Sequence, residues 1–187
     1  FNYPSNAPDH YDEHQKGQFY LNEIGNICNL QTWTASNDKR RTYKGKTLGL
    51  HDIDAFPTFQ ISDKSQQRTE LIDTIWLQNN RPVCAFEVET TTTIYSGLLR
   101  LADMATILST SQLDLYIVAP KSRAKKFIRE IQRPLFQSIN LAKKCHFISL
   151  ESLELLYQKV KGLNGYVDYQ VLKIIRQSAQ QLEKIQT

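Results

Sequence analysis

The chain has 187 residues, of which 41% are hydrophobic and 22% charged, a composition that indicates one ordinary globular domain and excludes disordered or fibrous classes. Its net charge at pH 7 is only +4, so the chain as a whole is not a polybasic binding tail. No apolar run approaches the roughly 20 residues of a membrane span, and the N-terminus lacks the basic and apolar regions of a signal peptide. These features disfavour both membrane insertion and export.

The three cysteines, Cys28, Cys84 and Cys145, are widely spaced in apolar contexts and form no metal-binding pattern. We therefore expect reduced, buried thiols and a cytoplasmic protein. The first residue is Phe1 rather than Met, which leads us to expect that the sequence is a piece of a longer protein.

The N-terminal half predicts one helix followed by three strands. After an irregular lead-in, apolar residues at helical spacing predict a first helix from His14 to Ile27, and alternating residues predict a strand over 30–36. A polar segment, 43–68, contains Gly and Pro and is expected to hold only short elements. Apolar runs over 71–77 and 83–89 predict the second and third strands, joined as a hairpin near Asn79 and Asn80.

The C-terminal half alternates helices and strands. The pattern predicts helices over 96–108, 122–131, 150–160 and 166–186, with strands over 113–119 and 145–149. The resulting order, α-β-β-β-α-β-α-β-α, predicts an α/β fold with a mixed sheet flanked by helices. We expect a main domain over 1–162 and a C-terminal helical segment, 163–187, that caps the domain, dimerises or links to another domain.

Three carboxylates lie in the apolar runs that predict the second and third strands: Asp73, Glu87 and Glu89. Unpaired buried carboxylates cost several kcal/mol each, and two about 5 Å apart repel by roughly 3 kcal/mol at an effective dielectric near 20. Strand alternation places Glu87 and Glu89 on one face, with Val88 on the other, and a neighbouring strand about 4.8 Å away brings Asp73 to the same place.

Hard oxygen donors without His or Cys beside them favour Mg²⁺ or Mn²⁺, and Mg²⁺ sites of this kind usually handle phosphates. The alternative is a set of buried ion pairs with Arg81, Arg100 or a distant lysine.

Basic and hydroxyl-bearing residues form the other candidate sites. Lys39, Arg40 and Arg41 begin one basic cluster and residues 121–133 hold a second; each either contacts phosphate or forms a solvated face. Tyr95 and Ser96 follow the carboxylates, with Thr91 and Thr92, and offer hydroxyls to a phosphate or a cap to the next helix. The four histidines show no ligand-like spacing. No Gly-rich phosphate loop, nucleophile elbow or HExxH motif occurs, which disfavours kinases, NTPases, acyl hydrolases and zinc proteases.

The arrangement of the carboxylates resembles the PD-(D/E)XK nuclease superfamily over roughly residues 13–150. The shared features are an acidic residue on the second strand, Glu-x-Glu on the third, a preceding helix with its own acidic residue and a following crossover helix. Glu89 stands where most members carry lysine, and Ile72 replaces the proline of the motif, so the chain looks closer to the subset with BamHI-type Glu-x-Glu sites. The run from Ala85 to Arg100 also resembles a group of uncharacterised microbial restriction-endonuclease-like proteins.

The resemblance implies roles for particular residues. Asp73 and Glu87 would be metal ligands, with the Val88 carbonyl as a third. Glu89 would bind a second ion or act as the general base for the attacking water. Glu23 on the first helix is either an extra ligand through water or an ordinary surface residue.

Because the usual lysine is absent, Arg100, Lys39 or a second ion would have to stabilise the charge of the transition state. Arg100 could equally pair with Asp103 one turn further along its helix.

Taken together, the resemblance implies a Mg²⁺- or Mn²⁺-dependent nuclease that hydrolyses phosphodiester bonds of nucleic acid, DNA above RNA, in restriction or genome defence. Two alternatives stay open: a catalytically inactive nuclease-fold binding or regulatory domain, and a nuclease module that is silent until an attached sensor domain or partner acts. A duplex cutter needs two active sites, which favours a homodimer. We expect no membrane partner.

Overall fold

The structure is a computed structural model that describes residues 12–59, 61–91, 93–108 and 112–186, with the backbone alone for residues 185 and 186. Its helices and strands follow the predicted alternation. The strands are β1 (Gln31–Thr34), β2 (Thr42–Tyr43), β3 (Lys46–Thr47), β4 (Thr74–Gln78), β5 (Arg81–Val88), β6 (Asp114–Ala119) and β7 (Cys145–Ser149). The α-helices are α1 (Glu13–Ile27), α2 (Asp63–Glu70), α3 (Ile94–Leu108), α4 (Ala124–Ile131), α5 (Pro134–Ser138), α6 (Leu150–Val160) and α7 (Ala179–Gln186).

The main sheet has five strands in the order β1-β4-β5-β6-β7. The β1–β4 and β4–β5 pairs are antiparallel, whereas β5, β6 and β7 run parallel through crossover helices. This confirms the predicted mixed α/β sheet flanked by helices. The predicted hairpin is also present: Asn79 and Asn80, which join β4 to β5, have φ of 51° and 60°, as a tight two-residue turn with left-handed backbone requires.

Helices cover both faces of this sheet and create two apolar cores. Alternation along β5 sends Ala85 to the core under α3 and α4, and Phe86 and Val88 to the core under α1 and α6. Helix α1 lies very close to the end of β5, because a Cβ added to Gly17 would lie 2.7 Å from a methyl of Val88. The N-terminal turn of α1 is thereby held beside the end of β5.

The polar segment 43–68 contains elements that the sequence did not resolve. They are the small β2–β3 hairpin, a 3-10 helix over Leu48–His51 and helix α2. Lys44 and Gly45 at the tip of the hairpin have φ of 49° and 75°. Ser62 caps the N-terminus of α2, because its side chain accepts a hydrogen bond from Ser65 N.

The C-terminal segment differs from the prediction of one helix over 166–186. It forms a 3-10 helix over Tyr169–Ile174 and then α7, because Gln177 leaves the helical path to pair with Phe147 of β7. Leu172 and Leu182 are buried in the two cores. The segment therefore packs on the domain, and the domain boundary after residue 162 stays a prediction.

Two expectations from composition can be compared with the structure. Cys28, Cys84 and Cys145 are free thiols, and Cys84 and Cys145 are buried. Burial is the main reason that the pKa of Cys28 is raised to about 11, which makes its thiolate scarce at neutral pH. Among the described residues, no helix has the length and apolar character needed to cross a membrane.

Candidate functional site

The three predicted carboxylates lie at one end of the β4–β5 pair. Asp73 directly precedes β4, Glu87 lies in β5 and Glu89 directly follows it; because Thr74 pairs with Phe86, the start of β4 adjoins the end of β5. All three residues are buried, with exposed fractions of 7% for Asp73, 0% for Glu87 and 1% for Glu89. The structure therefore places at one end of the sheet three residues that the sequence separates by up to 16 positions. Among the described residues, however, Asp73 shares a compact group of ligand atoms with His14 and Asp38 rather than with the two glutamates.

Arg100 of α3 joins the two glutamates. Its Nε lies 2.8 Å from Glu87 Oε1, its Nη2 donates to Glu87 Oε2, and the same Nη2 is 3.4 Å from Glu89 Oε1. The Arg100 side chain is 41% exposed, so one side of the guanidinium faces solvent. The buried ion pair that the sequence offered as an alternative is present, and Arg100 pairs with the glutamates rather than with Asp103, which pairs with Arg68.

Gly97 allows α3 to approach Glu89. A Cβ at this position would lie 2.6 Å from Glu89 Oε1 and 3.1 Å from Glu89 Cγ. Any larger residue would have to displace the carboxylate, so the glycine fixes how closely α3 can pack here.

Asp73 is held by the backbone around it. Its Oδ2 accepts a hydrogen bond from Val88 N at 2.8 Å, and its carbonyl oxygen accepts from Ala35 N and from the Gln18 amide, both at 3.2 Å. The first contact orients the carboxylate, and the other two hold the Asp73 backbone at the junction of α1, β1 and β5.

The electrostatics of the carboxylates oppose full ionisation. Burial, and next the charge of Asp73, hold the pKa of Glu87 well above its usual range, although Arg100 acts in the opposite direction. Burial also raises the pKa of Asp73, against the effects of His14 and of the Val88 hydrogen bond. The buried carboxylates therefore carry more negative charge, when ionised, than the nearby positive groups balance.

His14 and Asp38 also belong to this site, although sequence reasoning assigned them no chemistry. His14 Nδ1 lies 2.8 Å from the Val88 carbonyl oxygen, which was an expected metal ligand, and His14 Nε2 lies 3.7 Å from both Asp73 Oδ1 and Asp38 Oδ2. Gln18 donates to Asp38 Oδ2 at 3.0 Å. The ligand atoms of His14, Asp38 and Asp73 all lie within 4.8 Å of one another.

The charge state of His14 responds to these neighbours. Burial lowers its pKa, but the Asp38 and Asp73 carboxylates outweigh burial and raise the pKa overall. Asp38 and His14 come from the turn after β1 and the start of α1, so no local spacing in the sequence could have indicated their meeting.

An open cleft of about 490 Å³ leads to Asp73. Its walls include Asp38 and Arg41 from the β1–β2 connection, Thr91 from the segment after β5, and Arg100 from α3. The cleft opens Asp73 and the exposed side of Arg100 to solvent.

Other predicted residues lie elsewhere. Glu23 contacts Lys46 Nζ at 3.5 Å, His51 Nε2 at 3.1 Å and the Tyr157 hydroxyl at 3.4 Å, so its partners differ from those of the buried carboxylates. The Lys39 ammonium lies 3.1 Å from the centroid of the Trp33 ring.

The remaining predicted nucleic-acid contacts divide into exposed and packed residues. Arg40 is exposed, and Arg41 lies beside the cleft with its Nε 3.1 Å from Asp38 Oδ1. Tyr95 packs on Phe136 and against the Arg133 guanidinium.

Ser96 takes part in starting α3. Its Oγ is 2.7 Å from Thr93 Oγ1, and its N–H donates to the Thr93 carbonyl at 2.9 Å. Thr93 and Ser96 therefore contact each other at the start of α3, Thr91 lies on the cleft wall, and Thr92 is outside the described residues.

Comparison with known proteins adds to this geometry. The chain is 28% identical over 134 residues to the Type II restriction enzyme NmeDI of Neisseria meningitidis serogroup C, an alignment that covers 68% of this chain and 38% of that protein. The chain thus spans less than half the length of this curated relative. No solved structure matches the chain. A model of the Type II restriction enzyme NmeDI C-terminal domain matches residues 4–177, nearly the whole sequence, and the chain therefore belongs to that family.

Proposed function

We propose that this chain is a nuclease domain with a Glu-x-Glu variant of the PD-(D/E)XK site, and that it hydrolyses phosphodiester bonds of DNA in restriction or genome defence. The observation that carries the proposal is the burial of Asp73, Glu87 and Glu89 at the adjoining ends of two strands, beside an open cleft. Membership of a restriction-enzyme family supports DNA as the substrate.

The residues fit a divalent cation. Asp73 and Glu87 are buried close enough that the charge of one raises the pKa of the other, and Arg100 supplies one positive charge for two glutamates. A cation held by Asp73 and Glu87 would reduce this imbalance, and oxygen donors suit Mg²⁺ or Mn²⁺. When bound, such an ion supplies Lewis-acid stabilisation of the phosphate and lowers the pKa of water.

The residues of the chain have separate roles in this proposal. The Val88 amide orients Asp73 through its hydrogen bond to Oδ2. Glu89 accepts the proton of the attacking water as the general base. Arg100, whose exposed side lies on the cleft wall, contacts a non-bridging phosphate oxygen and stabilises the charge that develops there.

DNA would contact the basic residues at the mouth of the cleft. Arg41 lines the cleft and Arg40 is exposed next to it, so both can reach phosphates. Lys39 is less suited to binding phosphate, because its ammonium lies on the Trp33 ring and 3.7 Å from Asp52 Oδ2, and burial lowers its pKa.

The test is cleavage of supercoiled plasmid, single-stranded DNA and RNA by the 187-residue chain with Mg²⁺, Mn²⁺ or EDTA. We expect metal-dependent nicking or linearisation of the plasmid. Asp73→Asn and Glu87→Gln should each lower the rate by roughly 10²-fold or more, because each removes a charge that holds the metal. Glu183→Gln, which changes a carboxylate exposed on α7, is the matched control and should cleave normally.

Absence of cleavage by a folded chain that also fails to bind Mn²⁺ would contradict the proposal and favour an inactive nuclease-fold binding domain. Cleavage that survives both Asp73→Asn and Glu87→Gln would place the chemistry elsewhere.

A further inference from the structure

His14 meets two carboxylates at the inner end of the cleft, and its own hydrogen bond determines which nitrogen faces them. Nδ1 lies 2.8 Å from the Val88 carbonyl oxygen, which can only accept a hydrogen bond. Nδ1 therefore carries the proton, and in the neutral ring Nε2 presents a bare lone pair. That lone pair faces Asp38 Oδ2 and Asp73 Oδ1, two further electron-rich atoms.

Two of the three separations in this cluster match those between ligands of one cation. His14 Nε2 is 3.7 Å from each carboxylate oxygen, which is longer than the roughly 2.7–2.9 Å of a charge-assisted hydrogen bond. Ligands about 2.1 Å from one metal, at angles near 120°, lie roughly 3.6 Å apart. The third separation, between the two carboxylate oxygens, is within 4.8 Å.

The groups around the cluster are those that usually orient metal ligands. The Val88 carbonyl holds the histidine, and the Gln18 amide and Arg41 hold the two oxygens of Asp38.

Gln18 adds an independent observation. Its side chain is fully buried, and its amide nitrogen donates to Asp38 Oδ2 and to the backbone carbonyl oxygen of Asp73. Its Oε1, however, accepts no hydrogen bond within the described part of the chain. A buried acceptor without a donor is costly. Water on a cation in the cluster is a donor that could satisfy this atom.

We propose that His14, Asp38 and Asp73 form a second cation site of mixed nitrogen and oxygen ligands, which takes a borderline ion such as Mn²⁺ or Co²⁺ in preference to Mg²⁺. Imidazole lowers the relative affinity for Mg²⁺ because that ion prefers hard oxygen donors. Asp73 is shared with the proposed hydrolytic site, whereas His14 and Asp38 are not. The binding itself does not require the proposed function; only a role in DNA cleavage would rest on it.

The test measures metal binding without DNA. Calorimetry with Mn²⁺, Co²⁺ and Mg²⁺ is performed on the 187-residue chain and on His14→Gln, Asp38→Asn and Glu87→Gln. We expect His14→Gln and Asp38→Asn to lower the affinity for Mn²⁺ and Co²⁺ by roughly tenfold or more, with little change for Mg²⁺. Glu87→Gln, outside the cluster, should retain the Co²⁺ site.

A spectroscopic measurement identifies the ligand directly. In the Co²⁺-loaded chain, proton NMR should show a hyperfine-shifted exchangeable imidazole N–H from His14 Nδ1, and His14→Gln should lose that signal. Thermal unfolding of each metal-free variant verifies that the variant is folded.

The outcomes separate this inference from the proposed function. Equal Co²⁺ and Mn²⁺ affinities of His14→Gln and the unchanged chain, with no shifted N–H, would overturn the second site and identify His14 as an imidazolium paired with the two aspartates. A Co²⁺ site that depends on His14 in a chain that cuts no DNA would support the second site and contradict the nuclease.

Discussion

Helix α3 approaches Glu89 so closely at Gly97 that a single methyl group there would overlap the carboxylate. The same helix carries Arg100, which pairs with both glutamates. The glycine and the arginine are therefore parts of one arrangement: the small residue permits the contact, and the charged residue one turn further on makes the burial of the glutamates tolerable.

Gly97→Ala should lower the free energy of unfolding, although alanine usually stabilises a helix by up to about 1 kcal/mol over glycine. The new Cβ would lie 2.6 Å from Glu89 Oε1 and 3.1 Å from Ile117 Cδ1, and both neighbours are fully or nearly fully buried. We expect a loss of about 1–3 kcal/mol. Urea unfolding measures this loss, and a gain in stability would show that the Glu89 side chain can move away from the new methyl group without a cost in free energy.

At the scale of elements, the site is assembled from helix starts and strand ends. His14 belongs to the first turn of α1, Asp73 precedes β4, Glu89 follows β5 and Arg100 lies in α3. Each of these elements is anchored by local signals, such as the Asn79–Asn80 turn between the two central strands.

Helix α6 depends on Ser149 for its N-terminal cap. The Ser149 hydroxyl accepts a hydrogen bond from Ser152 N at 3.1 Å, and the residue is almost fully buried. Ser149→Ala should lower the free energy of unfolding by about 1 kcal/mol because it leaves a helix N–H without its partner. Ser149→Thr retains a hydroxyl and serves as the control; equal losses for the two variants would point to packing rather than capping.

The C-terminal segment should stabilise the domain through Leu172. This residue is fully buried in the core under α1 and α6, whereas Ile174 in the same 3-10 helix is 79% exposed. Leu172→Ala should cost about 2–5 kcal/mol and Ile174→Ala less than about 0.5 kcal/mol. Thermal and urea unfolding of both variants measure these losses. Similarly small losses for the two variants would mean that the C-terminal segment does not stabilise the domain.

At the scale of the whole molecule, the buried carboxylates link stability to pH, and the proposed cation site would link it to metal. The folded state raises the pKa of Glu87 and Asp73, from ordinary values of 4.5 and 3.8, and that of His14 from 6.5. A raised pKa contributes stability that is complete below the unfolded pKa and is lost as pH rises through the folded one. Asp38 and Glu154 have lowered pKa values, so their contributions disappear only on acidification.

We therefore expect the metal-free chain to become less stable between about pH 5 and pH 8. Mg²⁺ or Mn²⁺ should raise Tm more at the higher pH, because the cation competes with protons for the carboxylates. At about 100 times the dissociation constant, the gain is roughly 2.7 kcal/mol. Calorimetric scans with EDTA or metal across this range measure the effect, and a metal-induced rise that is larger at pH 5 would contradict the site.

The sequence by itself determined most of the elements and the central pair of strands. Period-two alternation fixed that Glu87 and Glu89 share a face opposite to Val88, and asparagines marked the hairpin turn, because both signals are local along the chain. It also indicated Asp73, Glu87 and Glu89 as functional candidates, because carboxylates within apolar strands are costly to bury and therefore unusual. The C-terminal helix was wrongly extended, because a helical pattern does not reveal that Gln177 pairs with a distant strand.

Only the tertiary structure decided which partners these carboxylates have. Arg100 rather than Lys39 pairs with the glutamates because of the way α3 crosses the sheet. Glu23 pairs with His51 instead of joining the carboxylates because it lies on a different turn of α1 from the one that faces the strand ends. His14 and Asp38 join the site because α1 packs against Val88 and the chain turns after β1, two events separated in sequence. Such contacts arise from long-range packing, and no regular spacing in the sequence indicates them.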